Sequence, residues 1–167
     1  MQRRAGTVKN GVGSVHASSL NDAEIKAVAA GLRDLTLPKA QWTHAGHWAA
    51  AIVFALEEDE PFEAMAAAIP PYNVATGGEN TDTDGYHATI TYASMALATM
   101  VVARMQDRPL TAMHQAVMAS PLGGMDWLKR HYSAERLWSV TARREPMEPD
   151  LAPLKDSVQD VTNNHQG

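Results

Sequence analysis

The spacing of the apolar residues is the feature that most constrains the fold, because it follows the period of a helix and not that of a strand. In the first amphipathic stretch, apolar residues recur at intervals of three and four, at Ile25, Val28, Ala29 and Leu32. No segment of useful length alternates apolar with polar residues, and no internal repeat is visible. The sequence therefore predicts an all-α fold, a single compact domain of five to seven helices.

Capping residues, prolines and glycines divide this pattern into elements. Asn21 and Glu24 predict a capping box at the start of the first helix, and Pro109 predicts the start of a later one. Helices are predicted over residues 21–35, 38–57, 59–70, 84–106, 109–120, 125–132 and 133–138. The helical domain then spans residues 19–154, between a flexible N-terminal tail at 1–18 and a flexible C-terminal tail at 155–167.

Composition argues against several classes of function. The 167 residues include no cysteine, which excludes disulfides, cysteine nucleophiles, thiolate zinc sites and iron–sulfur clusters. The 14 basic and 19 acidic residues give a net charge of -5 without a basic stripe, so no nucleic-acid partner is expected. No apolar run follows Arg3 and Arg4 as a secretory signal requires, and none reaches the roughly 20 residues that cross a bilayer. We therefore expect a cytoplasmic protein with no membrane partner.

Three histidines form the most distinctive pattern. His44 and His47 are separated by an i, i+3 spacing, which places both on one face of the second predicted helix. His87 falls in the first turn of the fourth predicted helix. If these helices pack side by side, three imidazoles with an open position suit Zn²⁺, Fe²⁺, Mn²⁺ or Ni²⁺, and the metal would activate water or polarise a carbonyl. Histidines at helical spacing are also often surface residues, or core residues with satisfied hydrogen bonds, and this interpretation stays open.

The loop before the fourth predicted helix carries more polar residues than capping requires. Thr83 or Asp84 is expected to cap the helix, while Gly85 makes the turn and the free N–H groups suit an anionic group. The segment also resembles the first half of an EF-hand loop, but Thr91 stands where a bidentate carboxylate is needed, which argues against calcium. We interpret the loop as a helix cap that also forms one wall of a pocket.

These patterns define a predicted site. The candidate metal ligands are His44, His47 and His87, and the candidate catalytic residues are Tyr86, Asn80 and Asp84. The candidate substrate-binding residues are Trp42, Thr43, Tyr72, Asn73 and Thr91.

The two motif segments resemble a family of small uncharacterised bacterial all-helical proteins. The segments are Trp42-Thr43-His44-x-x-His47 and Tyr72-Asn73-x-x-x-Gly77-x-x-Asn80-Thr81-x-x-x-Gly85-Tyr86-His87-x-Thr89-Ile90-Thr91. The resemblance covers residues 38–154 and includes Tyr132-Ser133-x-x-Arg136-Leu137 and Glu148-Pro149-Asp150-Leu151. It implies that the polar positions form the family's site, without implying an activity. Family members often carry Glu directly after the last histidine, where this chain has Ala88.

The leading hypothesis is a small metal-dependent enzyme, a hydrolase or lyase, that acts on a small polar metabolite through the three histidines. One alternative is a non-catalytic binding domain for a polar or anionic small molecule. Another is a structural or interaction protein with a buried polar network. The apolar fourth helix fits a homodimer interface as well as a monomer core.

Overall fold

Every regular element of the computed structural model, which describes residues 19–163, is helical. The nine α-helices in this range are α1 (Asp22–Asp34), α2 (His44–Glu57), α3 (Pro61–Ala75), α4 (Ala88–Arg104), α5 (Leu110–Ala119), α6 (Trp127–His131), α7 (Ala134–Leu137), α8 (Val140–Arg144) and α9 (Lys155–Asn163). Two 3₁₀ helices occur at Lys39–Gln41 and Pro121–Gly123. The all-α prediction is confirmed. The number of helices exceeds the predicted range because α8 and α9 form after residue 138, where the sequence predicted no helix.

The start and the buried face of α1 follow directly from its sequence. The Asn21 side chain accepts from the Glu24 backbone N–H at 2.8 Å, and the Glu24 carboxylate accepts from the Asn21 N–H, so the predicted capping box is present. The four residues of the predicted apolar stripe, Ile25, Val28, Ala29 and Leu32, are all buried. Local spacing was sufficient here because α1 is amphipathic, with one buried apolar face.

Helices α2 and α4 form the centre of the molecule. Helix α2 packs against α1, α3, α4 and α5, and α4 packs against α2, α3, α8 and α9. Both helices are apolar on most of their circumference, as buried central helices must be. The second and fourth helices therefore pack side by side, as is required to bring His87 near His44 and His47.

The second helix begins later than the sequence predicts. Residues Lys39–Gln41 form a separate 3₁₀ turn after Pro38, and α2 starts only when the Thr43 hydroxyl accepts from the Gly46 backbone N–H at 3.1 Å. A Cβ atom at Gly46 would lie 2.4 Å from the Gln41 carbonyl oxygen. Glycine at this position therefore allows the 3₁₀ turn to lie against the first turn of α2.

Helices α3 and α4 also differ from their predicted bounds. Helix α3 continues through Pro70 and Pro71 to Ala75, although each proline removes a backbone donor. Tyr72 anchors this last turn, because its ring is fully buried and its hydroxyl donates to the Leu37 carbonyl at 3.0 Å. Helix α4 starts at Ala88 rather than near residue 84, so the preceding loop is longer than predicted.

The C-terminal segment differs from the predicted flexible tail. Residues Lys155–Asn163 form α9, which packs against α4, and its residues Val158 and Val161 are fully buried. Their i, i+3 spacing is a helical signal, but a nine-residue, largely polar segment has too few apolar positions to establish a helical period. The predicted N-terminal tail at 1–18 lies outside the described residues, as do residues 164–167. No helix between residues 19 and 163 has the length and apolar character to cross a membrane.

Candidate functional site

A pocket of about 410 Å³ lies between α2, α3, α4, the loop before α4 and the segment that leads into α6. Its apolar walls consist of Trp42, Trp48, Ala51, Met65, Ile69, Ile90, Met95, Met125, Trp127 and Leu128. Its polar lining consists of His44, His47, Asn73, Asp84, Tyr86, His87, Thr91 and Ser94. Pockets for small organic ligands in proteins have this size, with mainly aromatic and apolar walls and a few polar groups. All three predicted histidines line it.

His44 is held by a long-range hydrogen bond that leaves one ring nitrogen available. Its Nε2 lies 2.8 Å from the Leu122 carbonyl oxygen, and the Trp48 indole N–H donates to the same oxygen at 2.9 Å. A carbonyl oxygen can only accept, so the His44 Nε2 carries the proton. In the neutral imidazole, Nδ1 is therefore an acceptor.

His47 has neither ring nitrogen engaged with a group in the described part of the chain. Its ring stacks on the Trp42 indole, with ring centroids 3.8 Å apart and planes inclined by 29°. The ring is exposed to the pocket solvent but is surrounded by protein on its other sides. This desolvation, with a smaller contribution from His44, lowers the pKa of His47 to about 4. His47 is therefore neutral at pH 7 and offers one donor and one acceptor.

His87 has a structural role at the start of α4. It is the N-cap residue: its Nδ1 accepts from the Ile90 backbone N–H at 3.2 Å. Its Nε2 lies 2.9 Å from the Leu137 carbonyl oxygen and donates to it. Burial, and to a smaller extent the nearby Arg143, lower the pKa of His87, which keeps the ring neutral and able to cap. Both nitrogens are thus engaged, and neither is free to bind a metal in this conformation.

The loop wall of the pocket is fixed from two sides. On the side of α3, the Asn80 side-chain oxygen accepts from the Asn73 amide at 2.9 Å and from the Tyr86 backbone N–H at 3.0 Å. On the side of α8, Arg144 forms two hydrogen bonds with the Asp82 carboxylate, at 2.8 and 2.7 Å, which lower the pKa of that carboxyl group. The loop therefore presents a defined surface to the pocket.

Two of the three candidate catalytic residues line the pocket. Asp84 accepts from the Gly85 backbone N–H through Oδ1 at 2.9 Å, which leaves Oδ2 without a partner in the described residues. Burial raises the pKa of Tyr86, with an opposing contribution from a hydrogen bond to Thr91, so the phenol stays protonated at neutral pH. Asn80, the third candidate, supports the loop from outside the pocket.

The candidate substrate-binding residues divide in the same way. Trp42, Asn73 and Thr91 line the pocket. Thr43 is the N-cap of α2, and Tyr72 is packed in the core, so neither reaches the pocket in this structure. Hydroxyl and amide side chains in a motif serve capping and anchoring as readily as binding, which is why the sequence alone did not separate these roles.

Sequence reasoning missed most of the apolar wall. Met65 and Ile69 of α3, Met95 of α4 and Met125 before α6 all line the pocket. Met and Ile at helical spacing are the same signal that a closed core gives, so no local pattern distinguished them. Met125 is 65% exposed, which places it at the pocket mouth.

The predicted three-histidine metal centre is not assembled in this conformation. Between residues 19 and 163, no group of three or more histidine or acidic side chains is placed to hold a metal ion. His87 is engaged through both ring nitrogens, so one of the three predicted ligands acts as a helix cap.

Comparison of the chain with known protein families, with curated proteins and with solved structures gave no match. The family resemblance inferred from the motifs therefore stays a prediction, and the pocket has to be interpreted from its own chemistry.

Proposed function

We propose that this chain binds a small organic molecule in the pocket between α2, α3 and α4. The observation that carries the proposal is a pocket of about 410 Å³ whose apolar walls surround imidazole nitrogens that nothing in the described chain engages. Aromatic and methionine side chains would supply the contact area, and His44 Nδ1 and the His47 ring would orient the ligand through hydrogen bonds. The proposal corresponds to a binding domain and requires no metal.

The four tryptophans provide a built-in test. Trp42, Trp48 and Trp127 line the pocket, whereas Trp138 lies outside it and is 62% exposed. We would titrate ¹⁵N-labelled protein with a library of soluble fragments and follow the four indole N–H signals, assigned from single Trp→Phe variants. Saturable shifts of the pocket indoles with a constant Trp138 signal are expected.

A matched pair of variants on α4 separates pocket binding from surface binding. Ser94 lines the pocket, and Thr99 of the same helix is exposed outside it. Ser94→Leu adds apolar volume inside the pocket and should abolish the shifts, whereas Thr99→Leu should leave them unchanged. Absence of any saturable shift, or shifts that survive in Ser94→Leu, would overturn the proposal.

A second candidate is the metal-dependent enzyme expected from the sequence, with a smaller ligand set. It is favoured by the proximity of two imidazoles. His44 and His47 line the same pocket as Asp84, and His44 lies close enough to His47 to lower its pKa electrostatically. Elemental analysis of tag-free protein after incubation with Zn²⁺, Fe²⁺, Mn²⁺ or Ni²⁺ tests it. Near-stoichiometric metal that is lost in His47→Ala and kept in His87→Asn would support this candidate, and metal-free wild type would exclude it.

A further inference from the structure

Among the charged residue types, the described pocket lining contains an acidic residue but no lysine or arginine. Asp84 is the one acidic residue among the lining residues that the structure describes. His47 adds no positive charge at neutral pH, because its pKa is lowered to about 4. An anionic ligand would enter this pocket without a fixed counter-charge, and desolvating an unpaired charge is costly.

The nearest arginines are directed at the loop itself. Arg143 donates to the carbonyl oxygens of Gly85 and Tyr86, at 3.2 and 3.4 Å, and Arg144 is paired with Asp82. Arg144 neutralises Asp82, and both arginines tether the loop from the side of α8. Neither guanidinium lines the pocket.

Several polar atoms available to a ligand are acceptors. In the neutral imidazole of His44, Nδ1 is an acceptor because Nε2 donates to Leu122. One N–H of the Asn73 amide is used by Asn80, so this side chain keeps a second N–H and its carbonyl oxygen, and Asp84 keeps Oδ2 as an acceptor. A ligand with N–H donors would satisfy these acceptor atoms, whereas a carboxylate or phosphate would not.

The faces of the aromatic side chains would also attract a cation. Trp42, Trp127 and Tyr86 line the pocket together with Asp84, which is an exposed residue. The faces of aromatic rings carry negative electrostatic potential and attract ammonium groups, most strongly when water is excluded. The carboxylate, the ring faces and the free acceptor atoms thus all favour a positively charged ligand.

We infer that the ligand is an organic cation with an apolar body, a small protonated amine whose charged nitrogen is bound on the Asp84 side of the pocket. This inference rests on the proposed function, since it names the chemical class of the ligand for the same pocket. It narrows the expected ligand from any polar or anionic molecule to a cationic one.

Three probes of one shape and different charge test the inference. We would titrate ¹⁵N-labelled protein with 2-phenylethylamine, 2-phenylethanol and phenylacetate and follow the pocket indole N–H signals. The amine, which is protonated at pH 7, should bind about tenfold more tightly than the alcohol, because one ion pair or cation–π contact contributes on the order of a tenfold preference. Phenylacetate should bind most weakly.

Two charge-matched variants assign the preference to one carboxylate. Asp84→Asn removes the charge but keeps an oxygen that can accept from the Gly85 N–H. It should reduce the preference for the amine to less than about threefold, since the ring faces alone remain. Glu79→Gln removes an exposed charge of the same loop that does not line the pocket, and it should leave the preference unchanged.

Each outcome decides one of the two proposals. Equal binding of amine and alcohol, tighter binding of phenylacetate, a preference that survives Asp84→Asn, or no binding of the amine would overturn the cationic ligand. Saturable, Ser94→Leu-sensitive binding of any fragment in those cases would leave the proposed function standing. If no fragment of the library binds the pocket, the proposed function fails as well.

Discussion

The first turns of α2 and α4 both begin with a histidine beside the pocket, yet they use the imidazole in opposite ways. At α2 the Thr43 hydroxyl caps the helix, so the rings of His44 and His47 keep free nitrogens. At α4 the His87 ring is itself the cap and bonds through both nitrogens. Where another residue caps the helix, as at α2, histidine is a candidate ligand-binding group. Where no other residue caps it, as at α4, histidine itself has the structural role.

This difference has a cause in the backbone. The Thr43 hydroxyl satisfies a free N–H of the α2 first turn, as short hydroxyl side chains commonly do. At α4, Asp84 and Gly85 are used in the preceding turn, and the helix starts three residues later than Gly85, at Ala88. His87 is then the residue in position to accept from the Ile90 N–H. Variants in and around the two helix starts test this difference.

The loop before α4 should be the most sensitive part of this arrangement. Gly85 has φ 80°, and a Cβ atom there would lie 1.9 Å from the Glu79 carbonyl oxygen. Gly85→Ala should lower the free energy of unfolding by about 3 kcal/mol or more, from backbone strain and overpacking together. Urea denaturation measures it. Gly77→Ala is the control: φ is 90° but no atom lies within 4 Å of the added Cβ, so a loss of about 1 kcal/mol is expected. Equal losses would show that the close contact with Glu79 is unimportant.

Removal of the imidazole cap should come next. His87→Ala loses the bond from Ile90 and leaves the Leu137 carbonyl without its donor, and we expect a loss of about 2 kcal/mol in unfolding free energy. His87→Asn should recover about half of this, because asparagine is a good N-cap residue. A His87→Ala protein as stable as wild type would contradict the structural role of this ring.

The buried histidines should make stability depend on pH. Burial lowers the pKa of His47 to about 4, and it also lowers the pKa of His87 and of His114, whose Nδ1 lacks a partner in the described chain. As pH falls below the unfolded value of about 6.5, the unfolded chain takes up protons that the folded chain does not. Stability should then decrease by up to about 1.4 kcal/mol per pH unit for each histidine, until the lowered folded-state pKa is reached.

Denaturation curves between pH 7 and pH 5 measure this dependence, and His87→Asn should reduce the slope. The carboxyl groups of Asp22, Asp82 and Asp150 also have lowered pKa values, but their contribution is lost only below their ordinary value of 3.8. An unchanged slope in His87→Asn would mean that this ring is not protected from protonation in the fold.

The smallest effect on stability is expected at α2. His47 is exposed to the pocket and its ring contact is the stack on Trp42, so His47→Ala should cost less than about 1 kcal/mol. Ligand binding should nevertheless weaken, because the free ring nitrogens are removed. His47→Phe keeps an aromatic ring for the stack without the nitrogens, and it should restore stability but not binding. A loss at His47 as large as that at His87 would remove the distinction between the two helix starts.

The sequence anticipated some parts of this molecule well. The helical class, the capping box of α1 and its buried stripe depend on interactions between residues three or four positions apart, which periodicity reports directly. Helix ends were less accurate, as at Pro70 and Pro71, because the burial of Tyr72 against distant residues outweighs the local cost of proline. The helix α9 was missed because its few apolar residues gain their role only by packing on α4.

In the candidate site, too, some features follow from local sequence and others only from long-range packing. By itself, the sequence determined that polar and imidazole side chains concentrate in two segments, and the fold brings most of them to one pocket. Apart from the local cap bond between His87 and Ile90, tertiary contacts decide which ring nitrogens are free. The carbonyl groups that engage His44 and His87 belong to Leu122 and Leu137, 78 and 50 residues further along the chain. Every residue carries such a carbonyl group, so no residue type marks these partners in the sequence, and only packing selects them.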